Sequence, residues 1–363
     1  MGSLPRRFAF RFAFIFACLC IWPFRLVDAA SSSAPSDSAA QWLQLVAFAA
    51  IGVVGAAIWS LIDRGATAPR LADALETLVR YWLAVQMLTY GLAKVFPIQF
   101  PFPHAFALDQ RLRDFHPTGL LWAFMGYSRG YTIFSGLCEV LGAALLLWRR
   151  TRTIGALVVA AVMANVVMLN VCYDVPVKRN SIELLVAAVA LLAPYARRAL
   201  IALTGGAVAE LPPRPRGSQR VERLRAGAKL VALAAIACAQ CAALDVNPAP
   251  SPLDGIWLVD HATGSDAQSW HEVVVATDVR AGGVPYVKIN AVDHPIGMYV
   301  AAIDVFARTI TARSTTSGTA ETWHYTRDGD HLEIDTPAIH AALHREPDGA
   351  LVAHRTRWIQ PGR

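Results

Sequence analysis

Charged residues are scarce in this chain of 363 residues: 17% are Asp, Glu, Lys or Arg, while 55% belong to the hydrophobic set that includes the aromatic residues and cysteine. Soluble domains usually contain about 25% charged and about 45–50% apolar residues. A composition this apolar excludes intrinsic disorder, because a disordered chain combines many charges with few apolar residues. The composition predicts a membrane protein.

Cysteine is also scarce, with six residues and none after Cys241. The part of the chain beyond that residue is therefore not a disulfide-stapled scaffold. The sequence has no internal repeat, no nucleotide-binding glycine motif and no Gly-x-Ser-x-Gly elbow. These absences leave the question of enzymatic activity open, because no common catalytic motif decides it.

The charges that are present divide the chain into two regions. Residues 1–245 contain 24 Lys and Arg against 13 Asp and Glu, whereas residues 246–363 contain 9 against 14. The basic excess thus belongs to the hydrophobic region, where it indicates a lipid bilayer and not a nucleic acid as the partner. The acidic remainder predicts a second domain in different surroundings.

Seven hydrophobic segments approach the roughly 17–25 apolar residues that a membrane-spanning helix needs. In the first segment an apolar run at 12–22 follows three arginines and has small residues after it, so the segment is either a span or a cleaved secretory signal peptide. Both alternatives leave the remaining topology unchanged. The segments are 8–28, 42–62, 78–96, 131–148, 153–172, 181–196 and 228–244.

The distribution of Lys and Arg predicts the orientation, since cytoplasmic loops carry more of them. We expect a bacterial inner-membrane protein with its N-terminus inside and its C-terminal domain outside. The predicted divisions are N-terminal spans at 1–70, a four-helix membrane core at 71–200, a basic cytoplasmic linker at 201–227, a last span at 228–245 and an extracytoplasmic β domain at 246–363.

The C-terminal region alternates short apolar and polar runs with turn residues between them. Such spacing is typical of an all-β sandwich or an up-and-down barrel. A short helix is expected at 337–344. Strands are expected at 254–259, 269–276, 284–291, 297–304, 308–313, 321–326, 331–335 and 350–358.

Glu139 is the most informative residue of the hydrophobic region. A carboxylate near the middle of a span is costly, so it usually has a partner or a task. Gly136 and Gly142 lie near it on a small-residue face that allows another helix to pack closely. Lys94 ends the preceding span at a similar depth, and we therefore predict an ion pair between Lys94 and Glu139.

Other polar residues fall at a similar depth in the outer half of the predicted bundle. They form either a substrate or cofactor site or a polar cluster that only fixes the packing. Glu139 is the candidate catalytic residue. The candidate cofactor-binding residues are Tyr90, Lys94, Asn165, Asn170, Asp174 and Lys178.

Three segments of this region carry distinctive motifs: YGLAKVFP at 90–97, GLCEVLG at 136–142 and NVCYDVPVK at 170–178. Together they resemble the DoxX-like family of small bacterial membrane proteins. The resemblance covers roughly 71–200 and implies a four-helix membrane core. Because the wider group includes a membrane subunit of thiosulfate:quinone oxidoreductase, it also implies a link to quinone chemistry. It implies nothing about the C-terminal β domain.

Two weaker patterns remain. Cys238 and Cys241 have the C-x-x-C spacing of redox-active thiols, but an alanine-rich helix also accepts cysteine as a small apolar residue. His340 and His344 would share one face of a helix at a spacing that suits a metal ion, although no further ligand motif accompanies them. They are weak redox and weak metal candidates respectively.

Two functions are compatible with these patterns. The chain is a quinone-linked redox component with a redox protein partner, in which Glu139 carries protons. Alternatively, it is a non-enzymatic membrane anchor whose β domain binds an envelope protein or an apolar ligand.

Overall fold

In a computed structural model the chain forms two compact units. The helical unit comprises Met1–Phe100 and His116–Leu244, and the barrel unit comprises Pro101–Phe115 and Asp245–Arg363. The structure describes residues 4–21, 37–63, 69–96, 98–206, 251–265, 269–277, 285–292 and 295–347, together with scattered positions between 220 and 242.

Seven α-helices of the helical unit have both ends among the described residues. Four of them are long and apolar enough to cross a membrane: Ala39–Ile62, Arg129–Leu147, Arg152–Cys172 and residues Lys178–Ala196 of the last one. The predicted last span at 228–244 and the linker before it lie largely outside the described residues. The helices are α1 Leu4–Ile21, α2 Ala39–Ile62, α3 Pro69–Val95, α5 Pro117–Tyr127, α6 Arg129–Leu147, α7 Arg152–Cys172 and α8 Lys178–Leu203, while α4 Ala105–Asp109 belongs to the barrel unit.

Local sequence explains where these helices begin. The Ser38 and Ser128 hydroxyls accept hydrogen bonds from backbone N–H groups in the first turns of α2 and α6. Each thereby satisfies one of the N–H groups that a helix start leaves without a partner. The start of α8 is capped from a distance: the Asp37 carboxylate accepts hydrogen bonds from the backbone N–H groups of Lys178 at 2.6 Å and Arg179 at 2.9 Å.

The core of the helical unit lies among α3, α6, α7 and α8, the four helices of the predicted membrane core. Gly142 and Gly155 allow the close approach of α6 and α7, since an added Cβ at Gly155 would lie 2.7 Å from the backbone nitrogen of Leu146. Small residues at such crossings let helices pack backbone against backbone. The small-residue face predicted on α6 is therefore a packing face.

The barrel unit contains a closed antiparallel barrel of eight strands in up-and-down order, in which β1 pairs with both β2 and β8. This resolves the predicted choice between sandwich and barrel. The strands are β1 Gly255–Gly264, β2 Glu272–Ala276, β3 Tyr286–Asn290, β4 Pro295–Asp304, β5 Thr309–Ser314, β6 Ala320–Asp328, β7 His331–Asp335 and β8 Ile339–Arg345.

Alternate residues along the strands point into the barrel, and their side chains fill its interior. Trp257 and Trp323 are fully buried there, in a core to which every strand contributes and in which most side chains are aliphatic. Seven of the predicted strands are confirmed, and the eighth, at 350–358, lies outside the described residues. The helix predicted at 337–344 is wrong, because residues 339–345 form β8, which pairs with β1 and β7 and closes the barrel.

The barrel unit also contains a segment that the sequence assigned to the membrane core. Residues 101–115 belong to this unit, and α4 packs against β1 and β2. The Asp109 carboxylate accepts hydrogen bonds from Lys288 Nζ at 2.7 Å and Asn290 Nδ2 at 3.1 Å. The ion pair of Asp109 and Lys288 is largely buried. This contact explains why residues 101–115 join the barrel and not the helices that precede and follow them in the chain.

Candidate functional site

The predicted ion pair between Lys94 and Glu139 is present in the helical unit. Lys94 Nζ donates a hydrogen bond to Glu139 Oε1, and both side chains are buried. The pair lies where α3 crosses α6 at Gly91 and Gly136. A Cβ added at Gly136 would lie 2.5 Å from the carbonyl oxygen of Gly91 and 2.9 Å from Lys94 Cβ. Because both positions are glycines, α3 and α6 come close enough for the Lys94 ammonium to contact the Glu139 carboxylate.

Lys94 satisfies only one of the two carboxylate oxygens of Glu139. Glu139 is 1% exposed, and its Oε2 has no hydrogen-bond partner among the described residues. The amide oxygen Oε1 of Gln99 is also buried and has no hydrogen-bond partner among the described residues. A buried acceptor without a donor is costly, so two of them in one place indicate a missing donor.

Both Glu139 and Gln99 line one cavity of about 90 Å³ inside the helical unit. A single buried water needs about 10–15 Å³, so several water molecules or a small ring would fit. Most of the wall is apolar, with a few polar groups that converge, which is the usual composition of a small-molecule site. The polar and aromatic lining residues are Tyr90, Lys94, Gln99, Phe100, Trp122, Tyr131, Ser135, Glu139, Asn165, Asn170, Asn180 and Ser181.

Five of the predicted site residues thus meet at this cavity: Tyr90, Lys94, Glu139, Asn165 and Asn170. The depth match that predicted them reflects their position at one end of the bundle, where α3 and α7 end and α6 and α8 begin.

Several lining residues were missed in the sequence. Tyr131 and Ser135 precede Glu139 on α6 at intervals of four residues, so their position on its helix face could have been read from the spacing. Asn180 donates a hydrogen bond from Nδ2 to the Tyr90 hydroxyl at 2.9 Å. Gln99 lies beyond the end of α3, and no periodicity points to it.

Asp174 and Lys178 are not brought to the cavity. They pair with each other in the turn between α7 and α8, where Lys178 Nζ lies 2.6 Å from Asp174 Oδ1. The hydrogen bond and the positive charge of Lys178 lower the pKa of Asp174. These two residues hold the turn on its exposed side, and they do not line the cavity.

The weaker candidates have different surroundings. His340 and His344 lie on the strand β8, so their Cα atoms are about 13 Å apart and not one helical turn apart. Each histidine instead contacts its own carboxylate, His340 with Asp335 at 2.5 Å and His344 with Asp260 at 2.7 Å. The described residues contain no cluster that could hold a metal ion.

The proposed thiol pair is described only in part. Cys238 is exposed, while Cys241 lies outside the described residues. A redox role for the two cysteines therefore stays a prediction.

The cavity offers a definite chemistry. Oε2 of Glu139 accepts a hydrogen bond from a ligand or takes up a proton, and the Lys94 ammonium holds the carboxylate in place through Oε1. Gln99 offers a second acceptor. The apolar walls accept a ring or chain that carries such donors.

One comparison with known proteins gave a match. An "Uncharacterized protein YwoB" of Bacillus subtilis (strain 168) is 36% identical to the chain over 115 residues, which are 31% of this chain and 71% of that protein. No family model and no solved structure matches the chain.

Proposed function

We propose that this chain, which belongs to the family of the Bacillus subtilis protein YwoB, is a DoxX-like membrane protein that binds the head group of a quinone in the cavity beside Glu139. The observation that carries the proposal is the Oε2 atom of Glu139, a buried acceptor without a donor among the described residues, on a side chain that lines a mostly apolar cavity. The resemblance of residues 90–97, 136–142 and 170–178 to the DoxX-like family supports the choice of a quinone.

The proposed topology has seven spans in a bacterial inner membrane. They are α1, α2, α3, α6, α7, α8 and the segment 228–244, with the N-terminus inside and the β-barrel outside. The excess of Lys and Arg in the loops assigned to the inside supports this orientation. It places the Glu139 end of the bundle toward the outer face.

A quinone suits both parts of the cavity wall. Its ring and chain fit among Met87, Leu121 and Met163, while its oxygens need polar partners. The Lys94 ammonium and the Tyr90 hydroxyl are donors for a carbonyl oxygen. Once the ligand is a quinol, its hydroxyl groups become donors, and Glu139 Oε2 and Gln99 Oε1 accept from them.

Glu139 carries protons in this proposal. Reduction of a quinone to a quinol takes two electrons and two protons, and the electrons come from a redox protein partner. The protons pass through the Glu139 carboxyl to the oxygen that it faces. An intramembrane carboxylate at a cavity is a common device for such proton relays.

The test is a titration of the purified full chain with a ubiquinone analogue. We expect saturable binding to the wild type and at least tenfold weaker binding to Glu139→Gln. The matched control is Asp174→Asn, which removes a carboxylate from the same end of the bundle but outside the cavity, and it should bind as the wild type does. Equal binding by wild type and Glu139→Gln, or no binding by either, ends the proposal.

A second candidate function is a non-enzymatic anchor that presents the barrel to an envelope protein. One observation favours it: the interior of the barrel is filled by its own side chains within the described strands, while its surface exposes Val305 and Phe306 in one turn. A partner therefore binds the outer surface of the barrel, and an apolar ligand inside the described barrel has no support.

The two functions separate in a strain that lacks the chain. Complementation by Glu139→Gln together with failure of Phe306→Ser supports the anchor function. Failure of Glu139→Gln together with complementation by Phe306→Ser supports the quinone function. Membrane levels of each variant, measured by immunoblot, ensure that the comparison is made at equal amounts.

A further inference from the structure

Arg80 is a buried cation, two of whose donor nitrogens lack a hydrogen-bond partner among the described residues. The residue lies in the middle of α3 and is 4% exposed, yet neither Nε nor Nη1 has a hydrogen-bond partner among the described residues. Its guanidinium carbon lies 4.8 Å from the centre of the Tyr81 ring. That ring contact stabilises a cation only in part, so the donors remain unsatisfied.

Arg80 is remote from the cavity of the proposed function. It precedes Lys94 by fourteen residues on the same helix, which corresponds to about 21 Å along the axis. The residues around it belong to the opposite end of the bundle, where α6 ends at Leu147 and α7 begins at Arg152.

This end of the bundle carries more positive than negative charge. The charges of Arg149, Arg152 and Glu76 all act on Arg80. The Glu76 carboxylate is already engaged, because it accepts a hydrogen bond from Arg152, which also donates to the Tyr195 hydroxyl. Arg80 therefore lies in a mainly positive environment, and its Nε and Nη1 lack hydrogen-bond partners among the described residues.

A buried charge without a counter-charge is strongly unfavourable, and native proteins rarely leave one. A guanidinium offers N–H donors in a planar fork, and this fork matches two oxygens of a phosphate group. Arg149 is exposed and Arg152 half-buried, so the set extends from the surface to the buried Arg80.

We propose that Arg80, with Arg149 and Arg152, binds a phosphate group at this end of the helical unit. The group is the head group of an anionic phospholipid or a free inorganic phosphate, since both present the same oxygens. In the bound state the phosphate accepts a hydrogen bond from Nη1 or from Nε of Arg80, because these two groups donate from different edges of the guanidinium. It also neutralises the excess charge.

The test uses the full chain, purified in a neutral detergent and washed free of lipid. Its thermal unfolding is measured with inorganic phosphate, with chloride at equal ionic strength, and with short-chain phosphatidylglycerol or phosphatidylcholine. We expect a rise in Tm with phosphatidylglycerol or phosphate and none with chloride or phosphatidylcholine. Arg80→Gln should weaken the effect at least tenfold in ligand concentration, while Arg150→Gln, which removes an exposed arginine nearby, should leave it unchanged.

The two probes distinguish the source of the phosphate. A rise in Tm with phosphatidylglycerol alone identifies a lipid head group, and a rise with inorganic phosphate alone identifies a free anion. A rise with both establishes the phosphate chemistry that they share. No rise with either, or a rise that Arg80→Gln leaves intact, overturns the proposal.

The ligand-free variant controls for folding. Without a bound anion, Arg80→Gln removes an uncompensated buried charge, so its Tm should equal or exceed that of the ligand-free wild type. A large loss of Tm in the ligand-free variant would mean that a protein group already satisfies Arg80, and it would overturn the proposal. None of these measurements uses a quinone, so the outcome is independent of the proposed function.

Discussion

Among the described residues, nine polar or charged side chains are buried in the helical unit and only two, Thr277 and Asn290, in the barrel unit. The helical unit buries Lys94, Glu139 and Arg80 at its interior, whereas the barrel interior is built around Trp257 and Trp323 and aliphatic residues. The helical unit thus holds charged side chains in its interior, whereas the barrel unit carries most of its charges on its surface.

The exposed residues of the two units differ in the corresponding way, since they are mostly apolar in the helical unit and mostly polar or charged in the barrel unit. Large apolar side chains such as Leu61 at 73% and Phe134 at 62% exposure occur along the helices that are long enough to span a membrane. The exposed positions of β6 and β7 carry Glu321, His324 and Glu333 instead. The two units of this chain therefore suit different surroundings, because hydrocarbon solvates an apolar surface and water solvates a charged one.

The largest effect that tests this comparison is expected in the helical unit from Lys94→Met. The change leaves the Glu139 carboxylate buried without its partner, and loss of one member of a buried pair costs about 3–5 kcal/mol. Chemical unfolding in detergent micelles, followed by circular dichroism, measures it.

Two controls accompany this variant. Lys178→Met removes a lysine from an exposed pair and should change stability little. The double variant Lys94→Met with Glu139→Gln should recover most of the loss. A single variant as stable as the wild type would show that the charges inside the bundle are not coupled.

In the barrel unit the corresponding effect comes from an apolar deletion. Leu343→Ala on β8 removes a side chain that is 1% exposed, and the cavity it leaves should cost about 2–5 kcal/mol. Urea unfolding followed by tryptophan fluorescence reports it. Ile296→Ala on β4 is the matched control, because that side chain is 42% exposed and its loss should stay within about 0.5 kcal/mol. Equal losses would contradict the packed interior.

A smaller effect is expected where α3 and α6 cross. Gly136→Ala places a Cβ 2.5 Å from a backbone oxygen, so the helices must separate, at a cost of about 1–3 kcal/mol. Gly130→Ala on the same helix meets nothing within 4 Å, and it should be neutral or stabilising. The Tm of both variants in detergent is the measurement, and a neutral Gly136→Ala would remove the close crossing as the reason that Lys94 reaches Glu139.

The smallest effect concerns a carboxylate that the barrel unit half buries. Burial, together with the neighbouring Asp109 and Glu346, raises the pKa of Glu272 from 4.5 to about 7, while Lys288 opposes the shift. The folded state therefore holds a proton that the unfolded state loses first, so this group's contribution to stability falls as the pH rises from 4.5 to about 7.

Glu272→Gln should remove that fall. For a fully buried group, each unit of pKa shift changes the free energy of unfolding by about 1.4 kcal/mol. Glu272 should contribute less than this for each unit, because its side chain is partly solvated. Urea midpoints of the barrel unit at pH 5 and pH 8, measured in the full chain, compare the variant with the wild type. An unchanged slope with pH would show that Glu272 titrates normally.

Much of both units could be predicted from local pattern. Continuous apolar runs predicted α2, α6 and α7, and alternation predicted seven strands, since each reflects the solvent that the element faces. The pair of Lys94 and Glu139 was predictable because an intramembrane carboxylate needs a partner at its own depth. β8 was not predictable, because its alanines and histidines fit a helix equally well. Pairing with β1 and β7 decides its conformation.

By itself the sequence determined the division into an apolar basic region and an acidic β region, and it singled out Glu139, because composition and periodicity record which solvent each segment meets. Only the tertiary structure decided that residues 101–115 join the barrel through Asp109 and that Gln99 reaches the cavity. It also decided that Nε and Nη1 of Arg80 have no partner among the described residues. These facts depend on which remote side chains arrive at the same place, and no local pattern in the chain encodes that meeting.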